Sequence, residues 1–369
     1  MQLKVKDLGI TTGGNLIAIL NEDDAKRLDL KALDRIKVTY RNKTETVMVN
    51  ISESSKTINK GQVGLVEDVI KSLKVKDGNN VVVKIARKPL SLAHIKKKLD
   101  GYVLTKKEID QIVWDIVHNK LSDIEITYFV SACYTKSMSQ NETVLLTKAI
   151  VSNGEQLRLG RYPIADKHCI GGIPGNRTTM IIVPIIASAG FTIPKTSSRS
   201  ITSPAGTADT MEVLADVSFS IKEMRRILKS VNGCIVWGGA LNLAPADDKI
   251  INVERPLGID AESQLIASIM AKKLSVNSTH IIIDIPTGEN SKIEDICSAF
   301  CLKRRFEYIG RLLKRKIKVV ITDGSEPIGN GIGPALEARD ILYILMRSDK
   351  RPLDLEKKSL MMAGHMLSM

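Results

Sequence analysis

A chain of 369 residues with 43% hydrophobic and 26% charged side chains has material for two or three domains, and no apolar run reaches the ~18 residues of a membrane span. Met1 to Val5 carry no apolar stretch of the secretory kind, so the sequence reads as cytoplasmic. The net charge of +13 suits nucleic acid or phosphate-bearing small molecules. Aromatics at 4% supply few base-stacking platforms, which argues against nucleic acid.

Residues 1–87 alternate short apolar runs (Leu3–Val5, Ile17–Ile19, Ile36–Val38, Val47–Val49, Val81–Val83) with turns such as Gly13-Gly14 and Gly78-Asn79. That pattern predicts a small β-rich domain. A faint repeat runs through it: Leu28, Leu30, Ile36 and Val38 match Leu73, Val75, Val81 and Val83 at a spacing of 45 residues. Each copy pairs a short helix with a following strand, as in pseudo-symmetric double-psi barrels, where two equivalent halves share one core.

From Ser91 to about Leu146 the apolar spacing turns helical, through Ile95, Leu99, Ile109, Ile112, Val113, Ile116 and Val117, then Ile124, Ile126, Phe129 and Val130. The stripe of Ile112, Ile116 and Phe129 serves as core or as a dimer face; any helical lobe needs the former. Beyond Gly154 and Gly160, strands end repeatedly in loops: Tyr162–Ala165 before Gly171-Gly172, Thr192–Pro194 before Ser197–Thr207, Cys234–Trp237 before Gly238-Gly239, His280–Ile285 before Pro286-Thr287-Gly288, and Ile317–Thr322 before Asp323-Gly324. Continuous β-branched strands alternating with helices predict a parallel or mixed sheet, whose ligands sit beyond the carboxyl ends of the strands. The densest basic stretch, Lys303–Lys318, carries Leu302, Phe306, Ile309, Leu312 and Leu313 at helical spacing. Its charges read as the solvated face of a packed helix. The five cysteines are scattered, only Cys297 and Cys301 lying close, so reduced thiols and no metal site are expected.

Three segments carry chemistry. In Lys167–Asn176, glycines let backbone N–H groups approach an anion ahead of a helix N-terminus, although a plain strand-to-helix turn looks the same. Ser197–Thr207 holds six hydroxyls and Arg199. Hydroxyls donate to phosphate without adding charge, and arginine grips it bidentately; the bland alternative is a capping loop with Thr207 as N-cap. Asp260 precedes a helix on which Ser268 and Lys272 share a face, and alone it reads as an N-cap.

The strings KHCIGGIPGN (167–176), KTSSRSITSPAGTAD (195–209), VWGGALNLAPADD (236–248), LIASIMAKKL (265–274) and DIPTGENSK (284–292) resemble the thymidine phosphorylase superfamily, and within it the archaeal AMP phosphorylase branch. The resemblance runs the length of the chain. It implies an α/β fold with three parts: an N-terminal β-rich, double-psi-barrel-like domain (1–87), a helical lobe (88–150 and 245–275), and a phosphate-binding α/β lobe (151–244 and 276–369) lacking its C-terminal part. It further implies phosphorolysis of AMP, with CMP and UMP as further substrates, to free base and ribose 1,5-bisphosphate. Asp260 is the implied proton donor. Gly172, Ser198, Arg199, Ser200, Ile201, Thr202, Ser203, Thr207, Ser268 and Lys292 are the implied substrate contacts. No cofactor is implied, and the partners are AMP, inorganic phosphate and further copies of the chain in a homodimer or higher homo-oligomer, with no nucleic acid and no membrane.

The sequence departs from this pattern in places. Lys167 matches the nucleoside-cleaving relatives, where it helps hold the attacking phosphate; the AMP branch has an apolar residue there. Cys169 replaces a serine of both groups. The base-reading arginine of nucleoside phosphorylases falls at Val253, with Arg255 two residues off, which favours a nucleotide substrate. A pyrimidine nucleoside phosphorylase and a non-catalytic nucleotide-binding remnant are the competing readings.

Overall fold

The computed structural model describes the chain except Ser55, Arg161, Ile201, Thr202, Ser203, Ile259, Asp260 and Asn290, and the side chain of Leu257. It divides into two compact units, Met1–Ala132 and Cys133–Met369.

The first unit opens with β1 (Gln2–Asp7), β2 (Ile17–Asn21), α1 (Glu22–Arg27), β3 (Arg35–Tyr40), β4 (Lys43–Ser52), β5 (Gln62–Leu65), α2 (Glu67–Leu73) and β6 (Asn80–Ile85). Its strands close into a barrel in the order β1-β5-β2-β4-β3-β6. Adding 45 to the first residues of β2, α1 and β3 gives those of β5, α2 and β6, so the repeat extends over the whole barrel. The paired copies meet across it, with Ala18 beside Leu65 and Val38 beside Val83. Inward positions hold the apolar half of each alternating strand, including Leu3, Val5, Val47 and Val49, all at most 2% exposed.

Three helices follow: α3 (Ser91–Leu99), α4 (Lys106–Val117) and α5 (Asp123–Lys136), the unit boundary falling within the last. A capping box between Thr105 and Glu108 starts α4. Arg35 of the barrel pairs with Glu125. Ile112, Ile116 and Phe129 are fully buried, which makes that stripe core.

The second unit contains α6 (Gln140–Ser152), β7 (Ala165–Cys169), α7 (Thr179–Ser188), β8 (Ile193–Ser197), α8 (Thr207–Glu212), α9 (Ile221–Val231), β9 (Gly233–Trp237), α10 (Pro245–Glu254), α11 (Glu262–Ser275), β10 (His280–Thr287), α12 (Ile296–Leu312), β11 (Lys316–Asp323), α13 (Pro334–Leu345) and α14 (Leu353–Leu367). Strands β11-β10-β7 form one parallel sheet and β8-β9 another, and a parallel bridge from Ile164 to Thr192 joins them. The five strands thus point the same way, and the five loops marked in the sequence leave from one edge.

Strand β10 shows why its sequence is a nearly unbroken apolar run. Ile281, Ile283 and Ile285 pack with Phe306 and Ile309 of α12 and Met270 of α11, while Ile282 packs with Ile182 and Ile186 of α7 and Met362 and Met366 of α14. Both faces are covered, as parallel sheets require. Asp284 shares the parity of Ile282 and so faces the α14 side. On α12 the basic stretch is a solvated face, but Leu312, expected on the apolar stripe, is 43% exposed while Leu302, Phe306, Ile309 and Leu313 are buried.

Candidate functional site

The loop after β7 is shaped by glycines at the closest approaches. Gly172 has φ +100°, and a Cβ there would lie 2.6 Å from the Lys292 amide nitrogen. No L side chain fits that conformation at that distance. Gly172 and Lys292, distant in sequence, therefore stand together. The same loop meets the one after β11, where Ile328 donates to the Pro174 carbonyl at 3.1 Å. It also meets the one after β8: Arg177 donates to the Ala205 carbonyl and, at 3.1 Å, to Thr210.

Gly206 lies against the backbone of 198–200. Asp209 accepts from the amides of Ser200 (2.7 Å) and Gly206 (2.8 Å), which hold its carboxyl below the usual range against the opposing effect of burial. Gly206, not Thr207, is the N-cap of α8; Thr207 is its first residue. Ser198 and Ser200 are exposed and Thr207 is half-buried. Arg199 departs from expectation. Its guanidinium is taken up by Asp209 (3.0 Å) and Glu212 (2.6 Å) and lies over the Trp237 ring, so it shapes the loop instead of presenting a free fork to phosphate. Ile201, Thr202, Ser203 and the proposed acid Asp260 lie outside the described residues.

Behind these loops sits a group of buried ions. Asp166 pairs with Lys273 at 2.9 Å and accepts from Ser278. Asp247 of α10 accepts from Ser268 at 2.9 Å and Lys272 at 2.8 Å, so the two α11 residues that share a face converge on one carboxylate. Burial opposes the charge of Lys272, but Asp247 outweighs it and raises the ammonium pKa. His168 is pushed well below the imidazole range by burial and then by Lys273, Lys195, Lys272 and Lys167, and is neutral. Burial and Lys273 likewise drive Lys195 well below the ordinary lysine value; its Nζ donates to the Thr196 carbonyl at 2.7 Å. The Ser197 hydroxyl is buried with no hydrogen-bond partner.

A second knot centres on Asp284. Thr322 donates to its Oδ1 at 2.7 Å and Asn176 to its Oδ2 at 3.3 Å. The ammonium groups of Lys358 and Lys167 lie 3.3 and 3.9 Å from that same Oδ2. Burial alone would raise the Asp284 pKa, but the two lysines hold it below the usual carboxylate value. Cys169 next to it is pushed up to about 11 by burial and by Asp284, so it is a neutral thiol. Sequence reasoning gave His168, Lys195, Asp284 and Lys358 no role of their own. His168 lies inside the glycine-loop string, but nothing in the α14 pattern marks Lys358.

Among the described residues, no group of three or more His, Cys, Asp or Glu side chains could hold a metal ion. Two surface grooves of about 290 and 330 Å³ flank Arg158–Gly160 and Thr192, at the amino ends of the strands and away from these loops.

A parallel sheet whose carboxyl edge gathers hydroxyls, glycine-loop amides and buried lysines defines a protein that handles phosphate-bearing ligands. Residues 93–154 match the glycosyl transferase family helical bundle domain and 161–278 its a/b domain. The fold is also that of the anthranilate phosphoribosyltransferase of Thermus thermophilus, with a TM-score of 0.59 at 16% identity over 74% of this chain and 88% of that one. An AMP phosphorylase of Thermofilum pendens is 46% identical over all of this chain and 71% of its own length. One of Methanocaldococcus jannaschii is 46% identical over all of this chain and 72% of its own length. A putative thymidine phosphorylase of Rhodopseudomonas palustris is 43% identical over 99% of this chain and 72% of its own length. The chain belongs to this phosphorylase family, of which AMP and thymidine phosphorylases are members.

Proposed function

We propose that the protein cleaves the glycosidic bond of AMP with inorganic phosphate, giving adenine and ribose 1,5-bisphosphate. What supports this reading most is the single sheet edge at which neutral donors stand in front of buried ammonium groups, since AMP and the attacking phosphate bring two anions into one cleft. Phosphate oxygen attacks C1′ as the bond to adenine breaks through an oxocarbenium-like state. The bond's electron pair leaves with the base, which takes a proton from Asp260. The Ser198–Ser203 segment and Thr207 hold phosphate oxygens with little added charge, Gly172 and Lys292 close the opposite side, and Ser268 orients the nucleotide from α11. Arg199 acts by shaping its loop. Segments 88–150 and 245–275 together form the helical lobe, the barrel is of double-psi type, and the protein works in the cytoplasm as a homodimer.

Lys167 favours one alternative, a nucleoside substrate. Chromatography of reactions with AMP, uridine or thymidine, each with and without phosphate, separates the two. Adenine released from AMP only when phosphate is present supports the first reading; base released only from the nucleosides refutes it. Asp260→Asn should lower AMP turnover at least ~100-fold, and unchanged turnover would remove Asp260 from the mechanism.

A further inference from the structure

Lys358 stands out among the buried groups. It lies on α14, far in sequence from every loop of the site, and is 9% exposed. Its Nζ reaches Asp284 Oδ2 at 3.3 Å yet makes no hydrogen bond, because the approach is off the angle a donor needs. An ammonium group carries three donors, and leaving all three unsatisfied inside a protein is costly. Asp284 cannot serve it alone. The same Oδ2 also faces Lys167 at 3.9 Å and accepts from Asn176 at 3.3 Å, while Oδ1 is used by Thr322. One carboxylate therefore stands between two lysines. Asp323 lies within electrostatic reach of Lys358, but its Oδ1 accepts from Ser325. The lysine with better hydrogen bonding is Lys167, which donates to Thr178 at 2.8 Å.

The location gives this surplus a use. Cys169 ends β7, Asp284 lies in β10 and Thr322 in β11, so the knot sits directly beneath the loops that bring Gly172, Lys292 and Pro174 together. A purely structural pair would need one lysine, and an apolar side chain would fill the second position at less cost. The next turn of α14, Met362 and Ala363, is apolar core.

We propose that Lys358 is a binding residue for the phosphate nucleophile: it flanks Asp284 together with Lys167, its ammonium group is left without a hydrogen-bond acceptor beneath the loops, and an inorganic oxyanion supplies that acceptor. The inference rests on the phosphorolytic reading for its reaction but not for its binding partner. Without phosphate the unsatisfied ammonium group destabilises the protein; with phosphate it has its acceptor. The same side chain thus lowers stability and raises affinity for the nucleophile, a trade common at functional sites.

The test uses the full chain and inorganic phosphate as the probe. Calorimetric titration, with no nucleotide present, compares the unaltered protein with Lys358→Met, Lys358→Gln and Lys358→Arg. The two neutral variants should bind phosphate at least ~10-fold more weakly, with a melting temperature equal to or above that of the parent, and Lys358→Arg should recover most of the affinity. In turnover assays the neutral variants should raise KM for phosphate while KM for AMP stays within about twofold. Affinity within twofold of the parent in whichever neutral variant folds overturns the proposal, as does a parent that binds no phosphate. A parent that binds phosphate but releases no base from AMP refutes the function proposed above and leaves Lys358 to be judged by the titration.

Discussion

Removing the carboxylate of Glu337 tests whether the loops of the site are held by a buried ion pair. Arg177 is 5% exposed and Glu337 2%. The Arg177 Nε donates to Glu337 Oε2 at 2.6 Å and to Thr210 at 3.1 Å, Nη1 donates to the Asn176 carbonyl at 3.2 Å, and Nη2 to the Ala205 carbonyl. One guanidinium thus ties the β7 loop to the β8 loop and both to α13. Glu337→Met strands that cation in the interior, which costs about 3–5 kcal/mol. With a urea m-value of about 2–3 kcal/mol per molar, the midpoint should fall by about 1–2.5 M. Arg177→Met in the same background removes the stranded charge, so the double variant should recover about 1–3 kcal/mol relative to additivity. The chain has two tryptophans, Trp114 in the first unit and Trp237 in the second. Trp237 fluorescence in a Trp114→Phe background therefore reports the second unit alone and avoids treating the chain as one two-state system. Single and double effects that add within ~0.5 kcal/mol would refute the argument.

Three further outcomes are expected. Gly172→Ala, forced to φ +100° with its Cβ 2.6 Å from the Lys292 nitrogen, should cost about 1–3 kcal/mol and lower phosphorolysis at least ~10-fold, measured by urea melts and adenine release; full activity would show the approach to be unneeded. Glu108, held at about 2 by the Thr105 backbone amide despite burial and then by Lys97, lends stability that is complete above its ordinary value of 4.5 and is lost as pH falls through about 2. Solvent screening reduces this to about 1–2 kcal/mol, so Glu108→Gln should lower the Trp114-detected urea midpoint at pH 7, with the gap closing between pH 4.5 and 2. Burial pushes Cys169 up to about 11 and Cys234 to about 12, whereas Cys297 and Cys301 are exposed; brief iodoacetamide treatment at pH 8 should mark only those two in a peptide mass map.

The sheet and its loops were legible because parallel strands buried on both faces have a plain signature: Ile281, Ile282, Ile283 and Ile285 form an apolar run broken only at Asp284, ahead of Pro-Thr-Gly. The barrel repeat showed in four pairs of apolar residues and proved to govern every strand, since the two halves meet the same packing demands. Strand limits were less legible. Tyr162–Ala165 was expected as the strand, but β7 is Ala165–Cys169, because polar Asp166 and Lys167 break the apolar signal while finding partners inside. Arg199 was misread for a related reason. Its carboxylates, Asp209 and Glu212, lie in the following helix, at a sequence distance that marks no ion pair. Lys358 gave no signal, since a lysine on an amphipathic helix reads as solvated until the sheet beneath it is known.

The arrangement of charge explains why one sheet edge suits a reaction between two anions. A row of lysines presented directly to solvent would bind any phosphate, and would leave the cleft repelling itself when empty. Here lysines are held against carboxylates: Lys167 with Lys358 on Asp284 beneath the loops, Lys272 on Asp247, and, toward the amino ends of the strands, Lys273 on Asp166. On the reading proposed above, hydroxyls and amides meet the ligand and set its geometry through directional hydrogen bonds, while the ammonium groups supply a field strengthened by burial. Neutralising most of them internally keeps the empty site foldable. Lys195 makes the same point from the other side: with the Thr196 carbonyl as its acceptor, it is driven well below the usual lysine range. A neutral carbonyl does not sustain positive charge there, whereas the Asp247 carboxylate sustains that of Lys272, and an arriving phosphate is likewise an anion.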